Sequence, residues 1–197
     1  MKTAILKYNA GNTQSVLFAL ERLGAEAVVT DDPEVLQSAD KVIFPGVGEA
    51  STAMAYLRER KLDEVLRNLQ QPVLGICLGM QLLCRHSEEN DTPCIGVFDL
   101  EVKKFQSPGG NLLKIPQIGW NNITGLHSVI FEHVSQNAYM YFVHSYYAEL
   151  GPDTTAIANY VINYSAALQK DNFYAVQFHP EKSADAGQSL IESFLKL

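Results

Sequence analysis

The segment Gly75-Ile76-Cys77-Leu78-Gly79 joins an apolar, strand-like run over residues 72–76 to a helix-period stretch over residues 78–85. A cysteine at such a junction is the thiol counterpart of the G-x-S-x-G elbow. Small residues two before and two after it keep close backbone from colliding, and the positive end of the following helix favours thiolate. By residue type alone Cys77 is a small buried core residue, and its flanks are what point to chemistry. Cys84 and Cys94 lack such flanks and read as core.

A second segment, Val176-Gln177-Phe178-His179-Pro180-Glu181, closes the last strand of the chain. Proline disfavours helical geometry at His179, and in an extended segment residues two apart project to the same side. Glu181 is therefore expected to hold one imidazole nitrogen while the other faces a nucleophile, the logic of a thiol or hydroxyl triad. Taken alone, H-P-E reads as a surface histidine at a strand end beside a solvated glutamate. A third segment, Pro45-Gly46-Val47-Gly48, follows a strand at residues 41–44, and its glycines let backbone amides point into a cleft. Together with the amide of Leu78 it supplies the donors an oxyanion needs, or else it is an ordinary turn before a helix.

The elements that must position these segments alternate through the first half of the chain. Strands are predicted at residues 3–7, 27–30, 41–44 and 72–76, and helices at 13–23, 51–60 and 62–69, with Gly24 ending the first. Interleaving of this kind predicts an α/β fold with an open, mostly parallel twisted sheet flanked by helices. Beyond residue 95 the strands follow one another without helices, at 97–105, 128–132, 139–149, 155–162, 165–169 and 173–178, which predicts an antiparallel strand extension. A helix over 184–197 closes the chain, and residues 1–197 read as a single domain. The three chemistry-bearing segments all follow predicted parallel strands at their carboxyl ends, where open α/β sheets place their sites.

Composition narrows the function. The 197 residues carry a formal charge of −7 and lack the basic footprint that nucleic acid or anionic lipid demands. No apolar run reaches transmembrane length and no signal-peptide plan precedes the first strand, so a cytoplasmic location is expected. The three cysteines, without C-x-x-C or Cys/His spacing, argue against a disulfide framework and against a metal; no cofactor is expected.

With these residues in hand, the chain resembles the class I, triad-type glutamine amidotransferases over nearly its whole length. Within them it is most similar to the branch that feeds the cyclase of histidine biosynthesis. The matching segments are residues 8–16 (YNAGNTQSV), 44–48 (FPGVG), 75–83 (GICLGMQLL), 116–121 (PQIGWN), 141–146 (YFVHSY) and 177–183 (QFHPEKS). The resemblance implies that Cys77 forms a γ-glutamyl thioester, His179 shuttles the proton, Glu181 orients His179, and Val47 with Leu78 supplies the oxyanion amides. It implies substrate roles for Gly46, Gly48 and Gln81, and for His144, Ser145 and Tyr146, although Ser145 also reads as a plain strand hydroxyl.

The resemblance further implies a partner, a cyclase subunit with a (β/α)8 barrel that accepts ammonia from glutamine within a heterodimer. Asn12, Trp120, Asn121, Tyr141 and Lys182 would then lie toward that partner and the ammonia path. Trp120 and Tyr141 equally suit a core, and Lys182 a solvated surface. Two rivals remain at this level: a glutaminase serving the synthesis of anthranilate, guanylate or pyridoxal phosphate, and a stand-alone cysteine hydrolase. One departure stands out. Such subunits commonly open with an Asp-Tyr-Gly type sequence, whereas here Lys7-Tyr8-Asn9-Ala10 leads into Gly11-Asn12.

Overall fold

The computed structural model describes residues 2–106 and 114–197. The first half is a βα succession: β1 (Thr3–Leu6), α1 (Thr13–Arg22), β2 (Ala27–Thr30), α2 (Pro33–Ser38), β3 (Lys41–Gly46), α3 (Ala50–Glu59), α4 (Leu62–Arg67), β4 (Val73–Cys77) and α5 (Leu78–Leu83). Strands dominate the second half: β5 (Cys84–Ser87), β6 (Thr92–Pro93), β7 (Phe98–Lys104), β8 (Gln117–Asn122), β9 (Tyr139–His144), β10 (Tyr146–Ala148), β11 (Thr154–Asn159), β12 (Asn163–Lys170) and β13 (Phe173–Val176), before the closing helix α6 (Ala184–Leu195).

Seven strands form the main sheet in the order β11-β12-β13-β4-β3-β1-β2. The strands from β13 to β2 are parallel, while β12 and β11 extend the sheet antiparallel beyond β13. Successive strand side chains point to opposite faces, so each parallel strand feeds two cores. Leu6, Phe44 and Val73 pack with Leu36, Leu57 and Leu66 of α2, α3 and α4; Ile5, Ile43, Leu74 and Val176 pack with Leu20 of α1 and Phe194 of α6. Burial on both faces is why these strands read as continuous apolar runs.

The strand order reverses between β1 and β3, and the carboxyl ends of β1, β3, β4 and β13 meet at one edge of the sheet. That edge carries Tyr8, Gly46, Cys77 and His179, the crevice where such sheets bind ligands.

Four local expectations differ from the structure. Residues 128–132 form a 3-10 turn at Val129–Phe131 and not a strand, because the Ser128 hydroxyl accepts the Ile130 amide and caps the turn. The short helix α2 is unforeseen; Asp32 caps it by accepting the Glu34 amide at 2.9 Å, with Pro33 opening its first turn. The helix after Cys77 stops at Leu83, and Cys84–Ser87 peels off as β5 beside β7. The long strand foreseen at 139–149 breaks at Ser145, so that β9 pairs with β8 and β10 with β7 in a different sheet.

Candidate active site

Cys77 is the last residue of β4 and stands at φ 53, ψ −109, outside the regions a side chain prefers. Holding a non-glycine residue there costs about 1–3 kcal/mol, a strain that the surrounding structure must impose. Close packing supplies the constraint. A Cβ on Gly79 would lie 1.9 Å from the Phe44 carbonyl oxygen, and one on Gly75 would lie 2.8 Å from Leu83 Cδ1. The glycines at both sides of the cysteine therefore let α5 press against β3 and β4, which projects the thiol from the sheet edge.

His179 follows β13 in extended geometry (φ −99, ψ 94), and Pro180–Lys182 forms a 3-10 turn. Glu181 thus reaches the imidazole through a turn and not along an extended strand, which corrects the geometric reason expected from sequence. Its Oε1 stands 2.8 Å from Nδ1, and both side chains are buried, 4% and 1% exposed. The turn is held from outside. The His179 amide donates to the Tyr141 carbonyl, while the Ser183 hydroxyl donates to the His179 carbonyl and accepts the Tyr141 amide. At Gly187 of α6 a Cβ would fall 2.0 Å from the Pro180 carbonyl oxygen, so glycine is what lets α6 seat against the turn.

Cys77 lines the same cavity as His179, near enough to act on the charge of its imidazole. Burial pulls the pKa of His179 down, but the neighbouring Cys77 and the bonded Glu181 prevail and hold it up at about 10. A buried cation is retained there because a sulfur and a carboxylate flank it.

Cys77, Leu78, Gln81, His144, Ser145, Tyr146 and His179 line a cavity of about 330 Å³, with Val47, Gly48 and Lys182 at its wall. Leu78 is the first residue of α5, where an amide lacks an intrahelical partner. The Val47 amide is engaged elsewhere: it donates to the Ala10 carbonyl at 2.6 Å. Gly46 is the end of β3, paired in register with Cys77, and Gly48 takes φ +110 in the connecting loop. The departing N-terminal segment thus contributes directly to the site, through the Ala10 carbonyl and through Tyr8. The Tyr8 hydroxyl is buried under Gly46, and its pKa is raised by burial and by Cys77.

His144 lines the cavity, yet its ring works inward. Nδ1 donates to the Tyr146 carbonyl at 2.7 Å and Nε2 faces the Tyr164 hydroxyl at 3.3 Å. Burial brings its pKa down to about 4, so the ring is neutral and braces the β9–β10 corner instead of presenting a charge to a ligand. Both amide protons of Gln81 are likewise engaged, to the Tyr146 carbonyl and to Gln177, which leaves its carbonyl oxygen for a ligand.

Besides Tyr8, two polar residues of the site escaped the sequence reading. Glu89, in the turn after β5, lines the cavity; burial raises its carboxyl pKa, and Oε2 accepts the Ala50 amide at 2.8 Å. Gln177, inside the quoted QFHPEKS segment, lies fully buried with Nε2 3.7 Å from Cys77 Sγ.

Of the residues expected toward a partner, Trp120 and Lys182 are exposed. Trp120 packs edge-on against Tyr141, and Ile118 and Tyr139 extend an exposed apolar strip along β8 and β9. Asn12 caps the start of α1 without a side-chain bond. The Asn121 amide is used internally, donating to the Asn159 carbonyl and accepting the Asn122 amide, so that this side chain braces β8.

A thiol beside a carboxylate-held imidazole, at the carboxyl edge of a mostly parallel sheet, defines a cysteine-dependent acyl-transfer site of the elbow type. The chain belongs to the Glutamine amidotransferase class-I family, whose profile matches residues 4–197. It is 56% identical over 197 residues to the imidazole glycerol phosphate synthase subunit HisH of Bacteroides fragilis, covering 100% of both chains. It is 44% identical over 193 residues to the subunit of the same name from Haemophilus influenzae, covering 98% of this chain and 96% of that one. Among solved structures, a glutamine amidotransferase aligns with a TM-score of 0.72 at 20% identity, covering 98% of this chain and 97% of that one, which supports the fold. PurLQS from Thermotoga maritima aligns at 0.70 and 16%, covering 99% and 97%.

Proposed function

We propose that this chain is the glutaminase subunit of an imidazole glycerol phosphate synthase, a single cytoplasmic domain that hydrolyses glutamine and hands ammonia to a cyclase. The observation that carries the chemistry is the meeting of Cys77 and His179 in one cavity from distant parts of the chain, with Glu181 bonded behind the imidazole. The near-complete likeness to relatives called HisH carries the choice of acceptor.

The thiolate of Cys77 attacks the side-chain amide carbon of glutamine, and the carbonyl oxygen takes the negative charge. The Leu78 amide faces that oxygen, joined by the Val47 amide once the Gly46–Val47 peptide turns away from Ala10. The His179 imidazolium gives its proton to the departing nitrogen, so ammonia leaves and a thioester remains. Water then attacks the thioester, His179 takes its proton, and glutamate and the thiolate are regenerated. Glu89 supplies the counter-charge for the substrate's ammonium group at the cavity wall.

Ammonia released to bulk water is protonated and lost as a nucleophile, so a glutaminase of this kind serves an acceptor docked over its cavity. The exposed strip of Ile118, Trp120 and Tyr139 suits an interface, since Trp and Tyr anchor such surfaces. We read the partner as a (β/α)8 cyclase in a heterodimer.

The experiment is reconstitution with a candidate cyclase and its nucleotide ligand, following glutamate release and imidazole product together. Coupled formation of both, with glutamate release strongly raised by the liganded cyclase, is expected. Glutamate release that ignores the cyclase, or hydrolysis of esters and peptides in place of glutamine, overturns the assignment.

A further inference from the structure

Gln177 lies fully buried between two residues of the site. Its Nε2 stands 3.7 Å from Cys77 Sγ, its Oε1 accepts from Gln81 Nε2 at 2.9 Å, and Gln81 Nε2 also donates to the Tyr146 carbonyl at 2.9 Å.

The direction of a side-chain amide is fixed by its partners. The Tyr146 carbonyl can only accept, which turns the Gln81 nitrogen toward it. The second N–H of Gln81 then requires an oxygen from Gln177, and the Gln177 nitrogen is left facing the sulfur. Reversing Gln177 alone sets nitrogen against nitrogen; reversing both sets oxygen against the Tyr146 carbonyl. The backbone at the start of β10 thus dictates, through two side chains, that a donor meets Cys77.

A donor at sulfur favours thiolate over thiol, whereas the Val143 carbonyl, 3.7 Å from Sγ, favours the thiol. The other titratable groups around the sulfur are His179 with Glu181 behind it, the Tyr8 hydroxyl, and His144, Tyr146, Glu89 and Lys182 of the cavity wall. We propose that Gln177 is a positioning residue of the glutaminase reaction, whose amide, anchored by Gln81 and the Tyr146 carbonyl, holds an N–H on Cys77 and keeps its sulfur in the reactive thiolate form. This rests on Cys77 being the nucleophile.

The test is the pH dependence of Cys77 alkylation by iodoacetamide in the full chain, read by peptide mass spectrometry, for wild type, Gln177→Met and Gln81→Met. Gln177→Met keeps the length of the side chain and removes the donor. Its half-maximal pH should rise by about one unit, so that alkylation near neutrality falls about tenfold and recovers in alkaline buffer. Gln81→Met, which frees the Gln177 amide to turn, should shift it less and in the same direction. A purely structural role would lower the melting temperature and leave the midpoint in place; an unmoved midpoint in folded Gln177→Met overturns the proposal.

Should that variant not fold, the wild-type protein decides. The side-chain amide protons of Gln177 should titrate in step with Cys77 by NMR and lose that titration in Cys77→Ala, while resonances indifferent to the sulfur overturn the proposal. Failure of the underlying reading looks different: Cys77 alkylates no faster than Cys84 and Cys94 in wild type, and glutamine is not hydrolysed.

Discussion

The Val47 amide donates to the Ala10 carbonyl at 2.6 Å, and that bond occupies a candidate oxyanion donor. Turning the peptide exchanges one hydrogen bond for another, and Gly46 and Gly48 flank it with the conformational freedom this requires. In the proposed mechanism Cys77 and His179 already share a cavity while this donor is engaged by Ala10, a natural point for a partner to act.

Val47→Pro removes the donor without touching the triad. Glutamine turnover in the complex should fall about 10²–10³-fold, the typical worth of one oxyanion donor. Alkylation of Cys77, which needs no oxyanion hole, should remain near wild type.

The His179 pKa, held at about 10, lies above the unfolded value of ~6.5. A group raised on folding stabilises the native state fully below its unfolded pKa, and that contribution is lost as pH rises through the folded value. Urea denaturation should therefore show stability declining between about pH 6.5 and 10 on account of this pair. In Glu181→Gln, which removes the carboxylate, the His179 ring should titrate at lower pH by NMR, and the decline, still starting at about pH 6.5, should end at lower pH and be smaller in total.

Glu89→Gln removes the carboxylate from the cavity wall but keeps an acceptor for the Ala50 amide. The KM for glutamine should rise roughly tenfold with kcat little changed, the pattern of lost uniform binding. Glutamine analogues without the α-amino group should lose less between wild type and variant.

Gly79→Ala should fail in a different way. Its Cβ would meet the backbone oxygen of Phe44, which cannot swing aside as a side chain can, so β3 and α5 must separate. A loss of at least about 1–3 kcal/mol in denaturant unfolding is expected, with activity falling further because the elbow itself is displaced.

The parts of the site that were legible in sequence are those whose geometry is local. Gly75 to Gly79 announces a tight strand-to-helix turn, and His179 with Pro180 and Glu181 announces an imidazole with a carboxylate in reach. The sheet was legible for the same reason, since runs such as residues 41–44 must be buried on both faces. What stayed hidden depends on contacts between distant segments. Glu89 is an acidic turn residue until β5 folds beside β7, and Gln177 is an ordinary strand-end amide until Gln81 and Tyr146 fix its direction. The Val47 amide has two possible partners, and only the seating of Ala10 selects between them. Val129, Ile130 and Phe131 mimic a strand because a serine-capped 3-10 turn also buries two of three apolar side chains.

The proposed intermediate is covalent, and acid quenching during glutamine turnover traps it at the atom concerned. Intact-mass and peptide analysis should find a γ-glutamyl adduct on Cys77 and none on Cys84 or Cys94. In Cys77→Ala both the adduct and glutamine-dependent product should vanish while the complex still makes product from added ammonia. Sustained glutamine hydrolysis by Cys77→Ala, or an adduct on another residue, would rule Cys77 out as the nucleophile.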